Sequence, residues 1–320
     1  MTPPPQVAVV LAAYQAASTI DAALASVAAQ TRPPAEVVVV DDASTDATAA
    51  AARRWADALA LRVESRAANG GPGAARRQAV ALAGAPLVAV LDADDCWLPH
   101  HLEVLTTRLP GPGWIVSARA RDWRPGHHPS PPVTPSPRMP VRSRDRLARV
   151  VVPSPERQPA AIVRGNFVFT GALFWRADYE RAGGYRPEAA GAEDWDLWIR
   201  MIRAGCRVRD AGPVTVLYRR AAGSLSTSLG AYRAALAVLD QARAGCTTAE
   251  ERRAWHAARR EHRARLALAE AFDLARSGQR GSRRRAARAL AGPPAVAARA
   301  AALVVAPGPA ARRRDRLAPA

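Results

Sequence analysis

The sequence predicts an α/β fold: a mixed, mostly parallel sheet flanked by helices, with a helical extension at the carboxyl end. Three observations predict it. Short apolar runs at Val7–Leu11, Val37–Val40 and Leu87–Leu91 have strand length, and stretches of helical spacing separate them. Two of these runs end in clustered acids, Asp41-Asp42 and then Asp92, Asp94 and Asp95, where open α/β sheets receive ligands. Beyond Ser228 the chain turns alanine- and arginine-rich with helical periodicity. The expected division is a domain over residues 1–228, its halves meeting near 118, and an extension over 229–320.

Taken in order, Val7–Leu11 leads through Ala12-Ala13-Tyr14 into a helix expected between Ser18 and Gln30, with Ser18 as its cap and Thr31-Arg32-Pro33-Pro34 as its stop. The Val37–Val40 strand delivers Asp41, Asp42 and Asp46 into a loop, followed by a helix from about Ala47 to Ala60 and a strand at Leu61–Glu64. Asn69-Gly70-Gly71-Pro72-Gly73 opens the next helix. It lacks both the GxGxxG register and a GxxxxGK[ST] signature, so capping turn and phosphate contact stand side by side. In the run Leu87–Leu91, strand alternation places Asp92 and Asp94 on one face. Unpaired, the two would raise one another's pKa, so a divalent cation with oxygen ligands is the natural partner. The bland alternative is a helix capped by aspartate near Trp97-Leu98-Pro99.

Residues 119–159 are proline-rich and read as one long loop, with His127-His128 solvated. A helix is expected from Arg176 to Ala182. In Glu193-Asp194-Trp195-Asp196-Leu197-Trp198-Ile199, the spacing of Trp195, Trp198, Ile199 and Ile202 makes an amphipathic helix. Its leading acids either cap the helix or hold a general base at the rim of a cleft. Val214–Tyr218 is the last strand expected, and Arg219-Arg220 with Ser224 and Ser226 suits a diphosphate.

The net charge is +18 and every one of the 46 basic residues is arginine. Residues 241–320 hold 18 arginines against 6 acidic residues, a net of +12. Three widely spaced cysteines fit no zinc or CxxC pattern and point to a reducing compartment. No charged leader opens the chain, and no apolar stretch reaches spanning length, so a cytoplasmic or peripheral protein is expected.

The order VAVVLAAY, QTRPPAEVVVVDDASTD, NGGPGAARR, LDADDCWLP, Gly183-Gly184 with Pro187-Glu188, EDWDLWIR and YRR-x2-GSLS closely resembles the family 2 inverting glycosyltransferases of GT-A fold, the nucleotide-diphospho-sugar transferase fold. The resemblance runs from about Val7 to Ser226. It implies that residues 1–118 bind a nucleotide-diphosphate sugar and that 119–228 receive a glycan or lipid-linked acceptor. Asp42 then reads the nucleotide base beside Tyr14 and Arg76. Asp92 and Asp94, with Asp95 adjacent, form the DxD element that holds Mn²⁺ or Mg²⁺. Asp194 is the catalytic base, Asn166 and Glu193 lie on the acceptor side, and Arg219 and Ser226 close over the diphosphate. The implied reaction is a single displacement that inverts the anomeric carbon, in cell-envelope or other glycan synthesis. Gln15 and Arg77 replace frequent asparagines, which leaves the choice of donor open.

Two other classes compete. A nucleotidyltransferase making activated sugars would place a glycine-rich basic loop after the first strand, where Leu11-Ala12-Ala13-Tyr14-Gln15 offers neither glycine nor arginine. A nucleic-acid binder would account for the basic tail, but its aromatic residues are sparse, so no nucleic-acid partner is expected. The clusters Arg283-Arg284-Arg285 with Arg288, and Arg312-Arg313-Arg314 with Arg316, suit instead the anionic inner face of a plasma membrane.

Overall fold

The computed structural model describes residues 5–123, 151–189, 191–219, 229–277 and 279–305. The chain divides into two compact units, Met1–Ile162 with Asn166–Ala222, and Val163–Gly165 with Gly223–Ala320.

The first unit is built on strands β1 (Val7–Ala13), β2 (Glu36–Asp41), β3 (Leu61–Ser65), β4 (Leu87–Asp92), β5 (Cys96–Trp97), β6 (Trp114–Trp123), β7 (Ala172–Trp175) and β8 (Arg207–Arg219). They form one sheet in the order β3-β2-β1-β4-β7-β6-β8-β5. The first four strands are parallel, and β7 pairs antiparallel with both β4 and β6. Near-continuous valine and leucine in β1, β2 and β4 suits strands buried on both faces, and Val9, Val39 and Leu91 are almost fully buried. Helix α1 (Ile20–Ala28) seats Ile20, Leu24 and Val27 in the same core. Each such side chain contributes about 1.5–3 kcal/mol on burial. Because β1 pairs in register with β2 and β4, their carboxyl ends coincide: Ala13 lies beside Asp41, and Ala12 beside Asp92.

Several expectations are corrected. Strand alternation ends at Asp92, because the Asp95 N–H donates to the Asp92 carbonyl at 3.0 Å and closes a turn that carries Asp94. No helix begins at Trp97. Cys96 and Trp97 pair with Leu217 and Val216 of β8, and helix α4 (His101–Arg108) starts later. Helix α2 (Thr48–Arg53) stops short of Ala60, where Trp55 donates its ring N–H to Asp21 at 3.0 Å and the backbone tightens into turns. Thr19, without a side-chain capping bond, precedes α1 in place of the expected Ser18 cap. The proline-rich stretch is ordered at both ends, since β6 runs to Trp123 and helix α5 (Gln158–Arg164) follows a 3-10 turn at Pro155–Arg157. Gln158 anchors α5 by exchanging bonds with the Val208 backbone at 2.7 and 2.8 Å. His127 and His128 lie outside the described residues. Strand β8 is far longer than Val214–Tyr218, because β6 offers it a parallel partner along the length from Trp114 to Trp123.

Helices α3 (Gly71–Leu82), α6 (Arg176–Arg181) and α7 (Glu193–Arg203) complete this unit. The apolar face of α7 behaves as its spacing predicts: Trp195, Trp198, Ile199 and Ile202 are all buried.

The second unit contains α8 (Leu229–Ala242), α9 (Ala249–Arg276), α10 (Ser282–Ala289) and α11 (Pro294–Val305). A reciprocal capping box between Thr248 and Glu251 starts α9. Its core joins Leu268, Ala271 and Phe272 of α9 to Ala286 and Ala289 of α10 and Val296 and Ala300 of α11. No described helix is long and apolar enough to cross a membrane.

Candidate active site

The site is assembled where β1, β2 and β4 end and where α3 meets α7. Arg76, on α3, is its keystone. Its guanidinium is buried, with Nη2 donating to Asp92 Oδ1 at 2.5 Å and Nη1 to Glu193 Oε1 at 2.7 Å. Burial opposes that charge, but Asp92, Tyr185 and Glu193 overcome it and hold the guanidinium above its ordinary pKa. One arginine thus ties the end of β4 to the start of α7, its own bond to Glu193 reaching across 117 positions of sequence. Gly73 permits the approach: a Cβ there would lie 3.0 Å from Glu193 Cβ and Cγ.

Three acids open α7, and their surroundings separate them. Glu193 is spent on Arg76, and its other oxygen accepts the Gly191 N–H at 3.0 Å. Asp196 pairs with Arg200 at 2.6 Å, and Arg200 in turn bonds the Ala182 and Gly184 carbonyls. Asp194 has no cation partner among the described residues. Its Oδ2 accepts from Asn166 Nδ2 at 3.0 Å and its Oδ1 from the Trp195 N–H at 2.7 Å. Desolvation first, and the neighbouring Glu193 second, push its carboxyl up to about 6. The Tyr185 hydroxyl is buried with no partner among the described residues, while Arg76 sits 5.9 Å from its ring.

The aspartates after β4 also part company. Asp92 is half-buried on Arg76. Asp94 is exposed on its turn, yet desolvation and then Asp92 push its carboxyl above the ordinary range. Asp95 is buried, and its Oδ1 accepts the Arg219 N–H at 2.8 Å, so it anchors β8 to the turn. Arg219 Nε bonds the Asp94 carbonyl at 2.8 Å, and its guanidinium lies 4.4 Å over the Trp123 ring. No three His, Cys, Asp or Glu side chains converge as a ready metal cage among the described residues. The Asp92 charge that helps to raise the Asp94 carboxyl fits a divalent cation, which these two oxygen donors would hold.

The glycine turn spends its donors on protein. Asp42, almost fully buried, accepts the Gly70 N–H at 3.0 Å and the Gly71 N–H at 2.7 Å, with Arg66 at 3.4 Å. Gly71 has φ 81, a left-handed value that favours glycine. Tyr14 is 53% exposed after β1, available as a wall. Sequence reasoning missed Gln15, which joins two loops: its Nε2 donates to Thr45 at 2.9 Å, and its Oε1 accepts the Thr45 and Asp46 N–H groups. It also missed the Arg76–Glu193 pair. A buried arginine on a helix needs carboxylates, but nothing local names which. Ser226 lies outside the described residues.

Comparison with known proteins agrees with this architecture. Residues 8–138 match the model of glycosyl transferase family 2. Succinoglycan biosynthesis protein ExoU of Rhizobium meliloti (strain 1021) is 31% identical over 148 residues, 44% of this chain. The match spans only 40% of that relative's length. S. aureus TarS 1-349, in complex with UDP-GlcNAc, superposes with a TM-score of 0.61 at 16% identity, over 98% of this chain and 92% of that one. The mannosyltransferase PcManGT from Pyrobaculum calidifontis, in complex with GDP-Man and Mn²⁺, gives 0.58 at 24% identity, over 100% and 89%. These likenesses carry the fold, a GT-A type sheet flanked by helices. The sequence likeness to glycosyl transferase family 2 is carried by residues 8–138, less than half of the chain.

Proposed function

We propose that this protein is a metal-dependent inverting glycosyltransferase that moves a sugar from a nucleotide-diphosphate donor to an acceptor hydroxyl in glycan synthesis. The observation that carries it is the sorting of acids on α7: Arg76 and Arg200 neutralise Glu193 and Asp196, and Asp194 alone keeps an unpaired carboxylate. Asp194 takes the acceptor proton as the hydroxyl attacks the anomeric carbon, and Asn166 fixes the orientation of its carboxylate. Arg76 keeps that base in register with Asp92 at the donor side. A divalent cation on Asp92 and Asp94, when bound, supplies Lewis-acid charge for the leaving diphosphate. Backside attack inverts the configuration. Tyr14 and Asp42 line the base pocket, the latter through the glycine turn it braces. Arg219 and Ser226 are the residues assigned to the diphosphate.

The neighbours carry uridine and guanosine donors, so the test is a panel of both. Release of nucleoside diphosphate is measured with Mn²⁺, Mg²⁺ or EDTA, and the new linkage by NMR. Turnover with a metal and inversion at the anomeric carbon are expected. Full activity in EDTA, or retention, overturns the proposal. The proposed location is the inner face of a plasma membrane, supported by the exposed Arg283 and Arg284 of α10. Arg312, Arg313, Arg314 and Arg316 lie outside the described residues.

A further inference from the structure

The second unit contains a groove of about 780 Å³ whose walls are two helices. On α9, Arg263 lies about one turn beyond the adjacent Arg259 and Arg260, and all three line the groove with Arg285 and Arg288 of α10. Arg243 closes one end. Few of these charges are answered. Among the described residues Glu270 is the single acid lining the groove, and it pairs with Arg285 at 3.2 Å while also reaching Arg233 at 3.5 Å. Arg259 pairs with Asp240 at 2.8 Å. Arg260, Arg263 and Arg288 have no carboxylate partner among the described residues, and all three are exposed.

Opposed rows of like charge on low-dielectric walls repel one another and focus a positive potential between them. Guanidinium groups present planar pairs of N–H donors that match the oxygens of phosphate, so two facing rows suit a ligand carrying more than one such group. The groove's shape narrows the choice further. Its volume is in the range of small-molecule sites, roughly 300–1,000 Å³. Trp255 forms part of the lining but is buried, with the Arg243 and Arg259 guanidinium groups 5.5 and 5.3 Å from its ring, so it offers bases no open stacking face. These features favour a compact ligand over a nucleic-acid strand.

We propose that the groove between α9 and α10 is a binding site for a compact oligophosphate, either a soluble one or the phosphorylated head of a lipid, held chiefly by Arg260, Arg263 and Arg288. This site is independent of the proposed glycosyl transfer.

The test is calorimetric titration of the full chain with tripolyphosphate, in EDTA so that no metal carries the anion to Asp92 and Asp94. Arg263→Ser with Arg288→Ser is compared with Arg283→Ser with Arg284→Ser, which removes equal charge from exposed positions outside the groove. The groove pair should weaken binding about tenfold or more, the surface pair less than about threefold. Circular dichroism verifies that both variants fold, and Arg260→Lys, which keeps charge but loses the fork, should show an intermediate loss. Vesicles containing phosphatidylglycerol distinguish the two sources. Vesicle binding that falls further when the groove pair is added to the surface pair assigns a lipid head, and vesicle binding indifferent to the groove pair assigns a soluble anion. Equal weakening by the two pairs, absence of binding, or tighter binding of a random oligonucleotide than of tripolyphosphate overturns the proposal.

Discussion

Asp194 and Glu193 are adjacent on the first turn of α7, yet their surroundings differ, and the proposed function rests on that difference. The Glu193 charge is consumed by Arg76, and the same charge helps to raise the Asp194 carboxyl to about 6. Asp194→Asn is therefore expected to keep donor affinity while slowing transfer by roughly 10²–10⁴-fold, the usual cost of a lost general base. A base must be ionised to act. The wild-type rate, kcat/KM, should thus rise with pH through about 6 and level off above it. Glu193→Gln removes the negative neighbour that holds the Asp194 pKa up, so the acidic limb should move to lower pH. The same substitution leaves Arg76 with one buried partner fewer, at a cost to stability of up to about 3 kcal/mol. A pH profile of kcat/KM together with a melting curve reads both effects. An unmoved limb would mean that Glu193 does not tune the base.

At the scale of elements, the site depends on how closely α3 and α7 approach. Gly73→Ala puts a methyl group against the Glu193 side chain, and overpacking of this kind costs about 1–3 kcal/mol. The Arg76–Glu193 contact stretches first, so transfer should fall more than donor binding, as a comparison of kcat with donor Kd will reveal. Helix α4 carries a different liability. His101 is fully buried, stacked 4.1 Å from Trp97, with its Nδ1 2.9 Å from Thr215 Oγ1. Burial pushes its pKa down to about 3 from the ordinary 6.5. The unfolded chain therefore binds a proton that the folded one refuses, and stability falls as pH drops from about 6.5 towards 3. By pH 5 the loss from this one group is about 2 kcal/mol. Denaturant unfolding of His101→Phe at pH 7 and pH 5 should show a smaller drop than wild type. An identical drop would assign the acid sensitivity to other groups.

Across the whole molecule, charge is distributed unevenly, with two thirds of the net +18 in residues 241–320. The structure divides this charge between two settings. Arg283 and Arg284 are exposed on α10, whereas Arg285 pairs with Glu270 and joins Arg288 in lining the groove. Exposed arginines near an anionic surface contribute about 1 kcal/mol each, screened within a Debye length of about 8 Å in physiological salt. Replacing both Arg283 and Arg284 by serine should lower partition onto anionic vesicles roughly thirtyfold at low salt and much less at high salt. Sedimentation of the full chain with such vesicles measures this. Equal partition of variant and wild type would leave these two arginines without a part in attachment.

What the sequence determined by itself rests on local periodicity. The buried strands β1, β2 and β4 were legible because continuous apolar runs of that length have few other fates. Helix α7 was legible because tryptophan and isoleucine recur on one face, and the two clusters of aspartates because strand ends deliver them into loops. Only tertiary structure decided which acid keeps a free carboxylate. Asp92, Asp95, Glu193 and Asp196 look alike in sequence, and their fates depend on Arg76, the Arg219 backbone and Arg200. Likewise, the glycine turn's N–H groups meet Asp42, 28 and 29 positions away, a pairing that spacing does not encode. The reason is physical: a helix or strand is specified by neighbours within a few residues, whereas the partner of a buried charge is whichever opposite group the packed chain brings within reach.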